Sequence, residues 1–241
     1  ALFHNDCVFI AHHCLGVGHL YRSSLPAPLS QTATLVDLVP PLREAAERAL
    51  LADLTRHRAR VAEALKAAPH LSECASEPQR AAAERELRAA LRLLSRLHAE
   101  WADVLAAPLF ARAMGALVEE VAAHLVGQIV QARTLPEHLQ QQAASLLRLA
   151  AGAGSVMGSA LPEGTGEQAP SAEEACAACV PSWRKLQQLA TVLSASPVDV
   201  ERLAASEAAS VFEPVELRNL IASMAEDEGQ RDRALARLGR A

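Results

Sequence analysis

Between its prolines this chain spaces its apolar residues by threes and fours, and most of them are alanine or leucine. That period puts them on one side of a helix, and both residue types are strong helix formers. Pro40 and Pro41 stand where a helix can begin, because proline is tolerated in the first turn. From there Leu42, Ala46, Leu50, Leu54, Val61 and Leu65 trace a stripe, Arg48, Arg56 and Glu63 take other faces, and Pro69 ends the run. A second helix is predicted from about Pro78 to Ala106, with Leu87, Leu91, Leu94, Trp101 and Leu105 as its stripe. At about three to four heptads it is short for a coiled coil, so packing within an antiparallel bundle is the better reading. Pro108 opens a third helix (Phe110, Met114, Leu117, Val121, Leu125, Ile129), and a fourth runs from Pro136 to about Gly152.

A sheet is excluded by what is scarce. Hydrophobic residues are 51% of the chain, but aromatics are only 3%, and strands want Val, Ile, Thr and aromatics. The fold class is therefore all-α, an elongated antiparallel helical bundle or rod. Gly152 to Ser171 is rich in Gly, Pro and small residues and reads as a mobile surface loop. Beyond it Ala172–Ala178, Trp183–Leu193 and two further helices are expected, the last two carrying Leu203, Leu217, Leu220, Ile221 and Met224, with a turn at AEDEGQ before Arg231–Leu238. The expected division is a bundle over 1–154, a Gly/Pro-rich loop over 155–179 and a C-terminal helical subdomain over 180–241. No fixed-period repeat is visible, which disfavours a regular solenoid.

The opening stretch, ALFHNDCVFIAHHCLGVGHLY, is apolar enough for a core yet carries four histidines, an Asn, an Asp and two cysteines. Phe3, Cys7, Ile10, Cys14 and Val17 fall on one helix side, which sets His4, Asn5, His12 and His13 in or beside a packed surface. It begins without Met and within a periodic pattern, so it reads as a piece of something longer.

Charge and chemistry narrow the function classes. The net charge of −5, with few aromatics, argues against tracking or stacking on nucleic acid. Five cysteines without a small disulfide framework fit a reducing cytosol. The charge-free run Cys7–Tyr21 is shorter than the ~20 residues of a membrane span, so membrane association is expected only through partners. His4, Cys7, His12, His13 and Cys14 are zinc-binding types, but His12 and His13 point about 100° apart on a helix. Cys176-Ala-Ala-Cys179 is a CxxC outside any thioredoxin-like strand–helix setting. Neither GxxxxGK[ST], GxSxG nor HExxH occurs, and the adjacent pairs Glu119-Glu120 and Glu173-Glu174 diverge on a helix, so catalysis and cofactor binding have no candidate residues. Trp183, Arg184 and Lys185 after Pro181 form a candidate partner-binding patch, Trp and Arg being favoured in hot spots; the alternative is that Trp183 anchors the C-terminal helices.

Six segments together resemble the zeste-white ten family: FHNDCVFIAHH, TATLVDLVPPLR (Thr32–Arg43), WADVL (Trp101–Leu105), AMGALV (Ala113–Val118), VPSW (Val180–Trp183) and FEPVELRNLIASMAEDEGQRDRALARL (Phe212–Leu238). They occur in the family's order, and the last looks like its extreme C-terminus, so the resemblance implies a C-terminal portion. It further implies the helical-rod architecture of tethering subunits and a non-catalytic scaffold role. At the kinetochore the implied partners are Rod and Zwilch, with dynein, Spindly and the spindle checkpoint beyond them. At the endoplasmic reticulum they are the neuroblastoma-amplified protein and the Rad-interacting tether subunit, linked to SNAREs in Golgi-to-ER vesicle tethering. The expected localisation is cytoplasmic, at kinetochore and spindle in mitosis, and peripheral at the ER membrane. Alternatives are a module of another helical tethering complex, exocyst-like, or a metal-dependent helical enzyme using His4, His12 and His13.

Overall fold

A computed structural model describes residues 1–26, 28–29, 35–74, 76–158, 171–194, 210–225 and 228–238. Among them are nine α-helices and three short 3₁₀ segments, and no strand. The helices are α1 (Leu2–Leu20), α2 (Val39–Ala67), α3 (Glu77–Trp101), α4 (Ala107–Val130), α5 (Glu137–Ala151), α6 (Ala172–Cys179), α7 (Trp183–Ser194), α8 (Pro214–Met224) and α9 (Glu228–Leu238). The 3₁₀ segments are Val36–Leu38, Leu71–Glu73 and Gly152–Met157. The all-α reading therefore holds, and the proline-marked starts fall within a residue or two of the expected ones.

Local chemistry sets those starts. Prolines occupy the first two positions of α2, α3, α4 and α8, where the missing N–H would have no helical partner anyway. The α3 start adds Ser76 and Gln79, with the Ser76 N–H donating to Gln79 Oε1 at 3.1 Å. The α6 start has a reciprocal capping box: the Glu174 N–H donates to Ser171 Oγ at 3.2 Å, and the Ser171 N–H donates to Glu174 Oε2 at 2.7 Å.

α4 organises the body. Its only charged residues are Arg112, Glu119 and Glu120, which share one side with exposed Ala123, and twelve buried residues take most of the remaining circumference. A helix this apolar must be enclosed on most of its sides. Here α2, α3, α5, α6, α7 and α8 all pack against it. By length and composition α4 is long and apolar enough to cross a membrane, but 61% of its most apolar window is buried inside the bundle, as in a core helix. One continuous core runs from Leu50 to Ala234 around it.

Two glycines let the layers close. A Cβ on Gly115 of α4 would sit 2.7 Å from Cys179 Cβ and 2.8 Å from the Cys179 carbonyl oxygen, so α6 ends directly on that glycine. A Cβ on Gly154 would lie 2.9 Å from the Trp183 ring. The segment expected to be a loop from Gly152 is thus ordered at its start. Gly152–Met157 is a 3₁₀ turn with Ala153, Gly154, Val156 and Met157 buried, because Trp183 and α6 pack on it. At its other end α6 covers Ala172–Cys179. Residues 159–170 of the expected loop, together with Leu203, lie outside the described residues. α9 begins at Glu228, three residues earlier than the expected Arg231.

The two ends of the fold differ. α1 runs back along α2 from a turn near Tyr21, and its buried residues are only Cys7, Ala11 and Cys14. Ala11 and Cys14 join Val39 in a small cluster separate from the main core. The expected stripe is therefore shifted: Cys7 and Cys14 are inward, but Phe3 and Ile10 are 57% and 48% exposed. The reason is that α2 offers α1 a single narrow groove, filled by the small side chains.

Gly115→Ala should destabilise the fold by about 1–3 kcal/mol through overpacking. Gly127→Ala, whose Cβ would meet nothing within 4 Å, should stabilise it by about 0.5–1 kcal/mol. Thermal melts of the two variants check this; equal shifts in one direction would contradict the packing described.

Candidate functional site

Of the expected partner-binding trio, the structure exposes one member. Trp183 is 3% exposed, seated on Gly154, with its indole Nε1 buried and without a hydrogen-bond acceptor. That is the core-anchor alternative raised by the sequence, and in this conformation the ring is not on the surface. Lys185 is half-buried and donates from Nζ to Glu216 Oε1 and Oε2 at 2.8 and 2.7 Å, tying α7 to α8. Arg184 points to solvent. Burial would raise the Glu216 pKa, but hydrogen bonds from Lys185 and the Glu213 N–H, with the Lys185 charge, hold it below the usual carboxylate value.

The glutamate pair on α4 diverges as the helix requires. Glu119 accepts from the Ser182 N–H at 2.9 Å and the Ser182 hydroxyl at 2.7 Å, holding the start of α7. Glu120 accepts from Arg58 Nε of α2 at 2.7 Å. These two contacts, and Lys185–Glu216, join residues 62, 63 and 31 positions apart, a separation no sequence period reports.

The histidine-rich α1 is polar at one end and solvent-facing at the other. Asn5 donates to the Val104 carbonyl in the α3–α4 turn, and His4 Nδ1 lies 3.3 Å from Asn5 Oδ1. His12 and His13 are exposed; this corrects their placement beside a packed surface, for they lie opposite the Cys7–Ala11–Cys14 groove. His13 Nδ1 instead caps the Phe9 carbonyl at 3.0 Å. Among the described residues no group of three or more His, Cys, Asp or Glu converges as a metal site. The CxxC cysteines also serve packing: Cys176 is fully buried, and burial first, then Cys179 and Glu173, pushes its thiol pKa up to about 11.

Two histidines missed by sequence reasoning are enclosed. His57 of α2 packs edge-on against Trp101 with ring centroids 5.7 Å apart, its Nε2 3.4 Å from Asp53, its Nδ1 unpartnered. Burial lowers its pKa, Asp53 and Glu100 oppose that, and Arg60 and Arg56 reinforce it. His124 of α4 has its pKa lowered by burial first, then by His70 and Lys66. Gln128 Oε1 accepts the Leu71 N–H at 3.1 Å, so its amide nitrogen faces His124 Nε2, 2.8 Å away. An amide nitrogen only donates, so that imidazole nitrogen carries no proton.

Fold and site together define an all-α packing module, in which the reactive residue types hold helices to one another. A family model described as "Centromere/kinetochore protein zw10, C-terminal" matches residues 1–63, and one described as "ZW10 C-terminal helical domain" matches residues 85–238. The chain belongs to the zw10 family, as a C-terminal region. It is 29% identical over 242 residues to the centromere/kinetochore protein zw10 homolog of Rattus norvegicus, covering 99% of this chain and 31% of that one. The Mus musculus homolog is 28% identical at the same coverage, and that of Arabidopsis thaliana 27% identical over 120 residues, 50% of this chain and 16% of that one. The chain thus spans about a third of the length of the mammalian relatives.

With His57 and His124 both held below the free value of 6.5, the unfolded chain takes up protons before the native one does as pH falls through that value. The melting temperature should drop by a few degrees between pH 7.5 and 5.5, and His124→Gln should flatten the drop. A melting temperature that rises over this interval would contradict the two environments. At pH 8, Cys176 should resist iodoacetamide while the protein is folded and react once urea unfolds it. Equally fast labelling in both states would show that the thiol is not enclosed.

Proposed function

We propose that this chain is a non-catalytic scaffold segment that docks other subunits in kinetochore assembly. The match to zw10 homologs along 99% of the chain carries this reading. In that setting the partners are Rod and Zwilch, and the complex serves dynein recruitment, with Spindly, and the spindle checkpoint. The same segment serves Golgi-to-ER vesicle tethering through the neuroblastoma-amplified protein and the Rad-interacting tether subunit. The chain then works in the cytoplasm, at the kinetochore and spindle in mitosis, and at the ER surface through those partners.

The mechanism is mechanical. A body braced by α4 and cross-tied by Glu119–Ser182, Glu120–Arg58 and Lys185–Glu216 presents a fixed surface. A stable contact on it would hide about 1,200–2,000 Å² in total. Of the trio Trp183, Arg184 and Lys185, Arg184 is the one free to meet a partner, with the other two holding its helix in place.

The chain should co-purify with Rod, or with the neuroblastoma-amplified protein as its membrane-side counterpart. Arg184→Glu should reduce capture at least about tenfold without changing the melting temperature. Capture by neither partner would overturn the docking role, and full capture of Arg184→Glu would remove this residue from the interface.

A further inference from the structure

Exposed apolar surface on this protein is concentrated at one end. Of the fourteen large hydrophobic side chains exposed among the described residues, thirteen lie between Leu2 and Leu51, and Val215 is the fourteenth. The body around α4 is closed, whereas the arm made by α1 and the first half of α2 is open.

The open surface is ordered as a second stripe. Leu2 and Phe9, and beside them Phe3 and Ile10, repeat at seven-residue spacing, with Leu20 farther along. Their exposures run from 48% to 69%. Asp6, the only Asp, Glu, Lys or Arg of α1, lies within this stripe one turn from Leu2, Phe3, Phe9 and Ile10, and the His13 ring packs on Phe9 there with centroids 4.0 Å apart. A helix of 19 residues with apolar groups on two sides and one side covered is built to be packed twice. At the start of the stripe a cavity of about 310 Å³ opens between α1 and α2, lined by Phe3, His4, Leu50, Asp53 and Arg56 among others.

Two further observations indicate what covers this stripe. The match to the rat relative covers 31% of that protein, in its C-terminal region, so most of a chain of that length lies upstream. The arm also belongs to a family unit separate from the body: residues 1–63 match one model and 85–238 another. Among the described residues, 1–63 supply two long helices and, within the arm, a cluster of Ala11, Cys14 and Val39, too little for a core of their own.

We propose that the Leu2–Phe3–Phe9–Ile10–Leu20 face of α1 is an intramolecular docking surface, covered by a predominantly apolar helical face, with a donor opposite Asp6, from the polypeptide that precedes this region in a chain of the relatives' length. α2 then belongs to two packing units at once. Its first half closes the upstream one, and its second half, through Val61 and Leu65, closes the body. The cavity beside Phe3 is where the incoming segment begins to seat.

The test is amide hydrogen exchange on two proteins: the 241-residue chain, and the same chain preceded by its natural upstream polypeptide. Residues 2–20 should exchange at least about tenfold more slowly in the longer protein, while α4 exchanges alike in both. Phe9→Glu should leave the helicity and melting temperature of the 241-residue chain unchanged, since Phe9 is 63% exposed, and should restore fast exchange of α1 in the longer protein. Equal exchange of α1 in the two proteins would overturn the proposal. So would a dimer of the 241-residue chain that Phe9→Glu disperses, with no added protection in the longer monomer, since a second copy would then be the occupant. Protection of α1 in the longer protein only after adding anionic phospholipid vesicles would overturn it too.

Discussion

A helix that must be covered over most of its circumference dictates most of this structure. α4 has three charged residues in 24 and twelve buried ones. Left in water it would expose the most apolar surface in the body, so the other helices are arranged as its envelope. Its two glutamates are used where the envelope joins it, Glu120 at Arg58 of α2 and Glu119 at Ser182 before α7. The glycine on its surface, Gly115, admits the end of α6. Enclosure is thus completed by small residues and a few long-range polar ties around a single apolar strut.

The same demand is unmet in the arm. α1 is as apolar as a core helix, yet α2 covers only its narrow row of Cys7, Ala11 and Cys14. α1 and α4 differ in how many neighbours they have, and hardly at all in how apolar they are. The contrast also explains why the histidines of α1 carry no assembled chemistry: His12 and His13 stand in solvent, and the histidines with shifted pKa values, His57 and His124, lie where helices converge.

Much of the secondary structure was legible because its cues are local. Prolines at Pro40, Pro78, Pro108 and Pro214 mark starts through steric and hydrogen-bonding rules that act within one turn. The glycine-rich stretch misled at its beginning, since a flexible composition is also what a large ring needs beneath it, and Trp183 takes that space over Gly154. Trp183, Arg184 and Lys185 look like one patch in sequence, but consecutive helical residues diverge by about 100° and meet three environments: core, solvent and an ion pair.

By itself the sequence determined the all-α class, the helices with their proline starts, and through ordered motifs the zw10 family, because these depend on short-range sterics, period and residue order. Tertiary structure decided which side of each helix is inward, which glutamate meets which partner, and which apolar face is left open. Those depend on neighbours 30 to 100 positions away, as Asn5 on Val104 and Lys185 on Glu216 illustrate. An apolar residue is equally apolar in a core and on an open face, so only the surrounding helices tell Phe110, fully buried, from Phe9, 63% exposed.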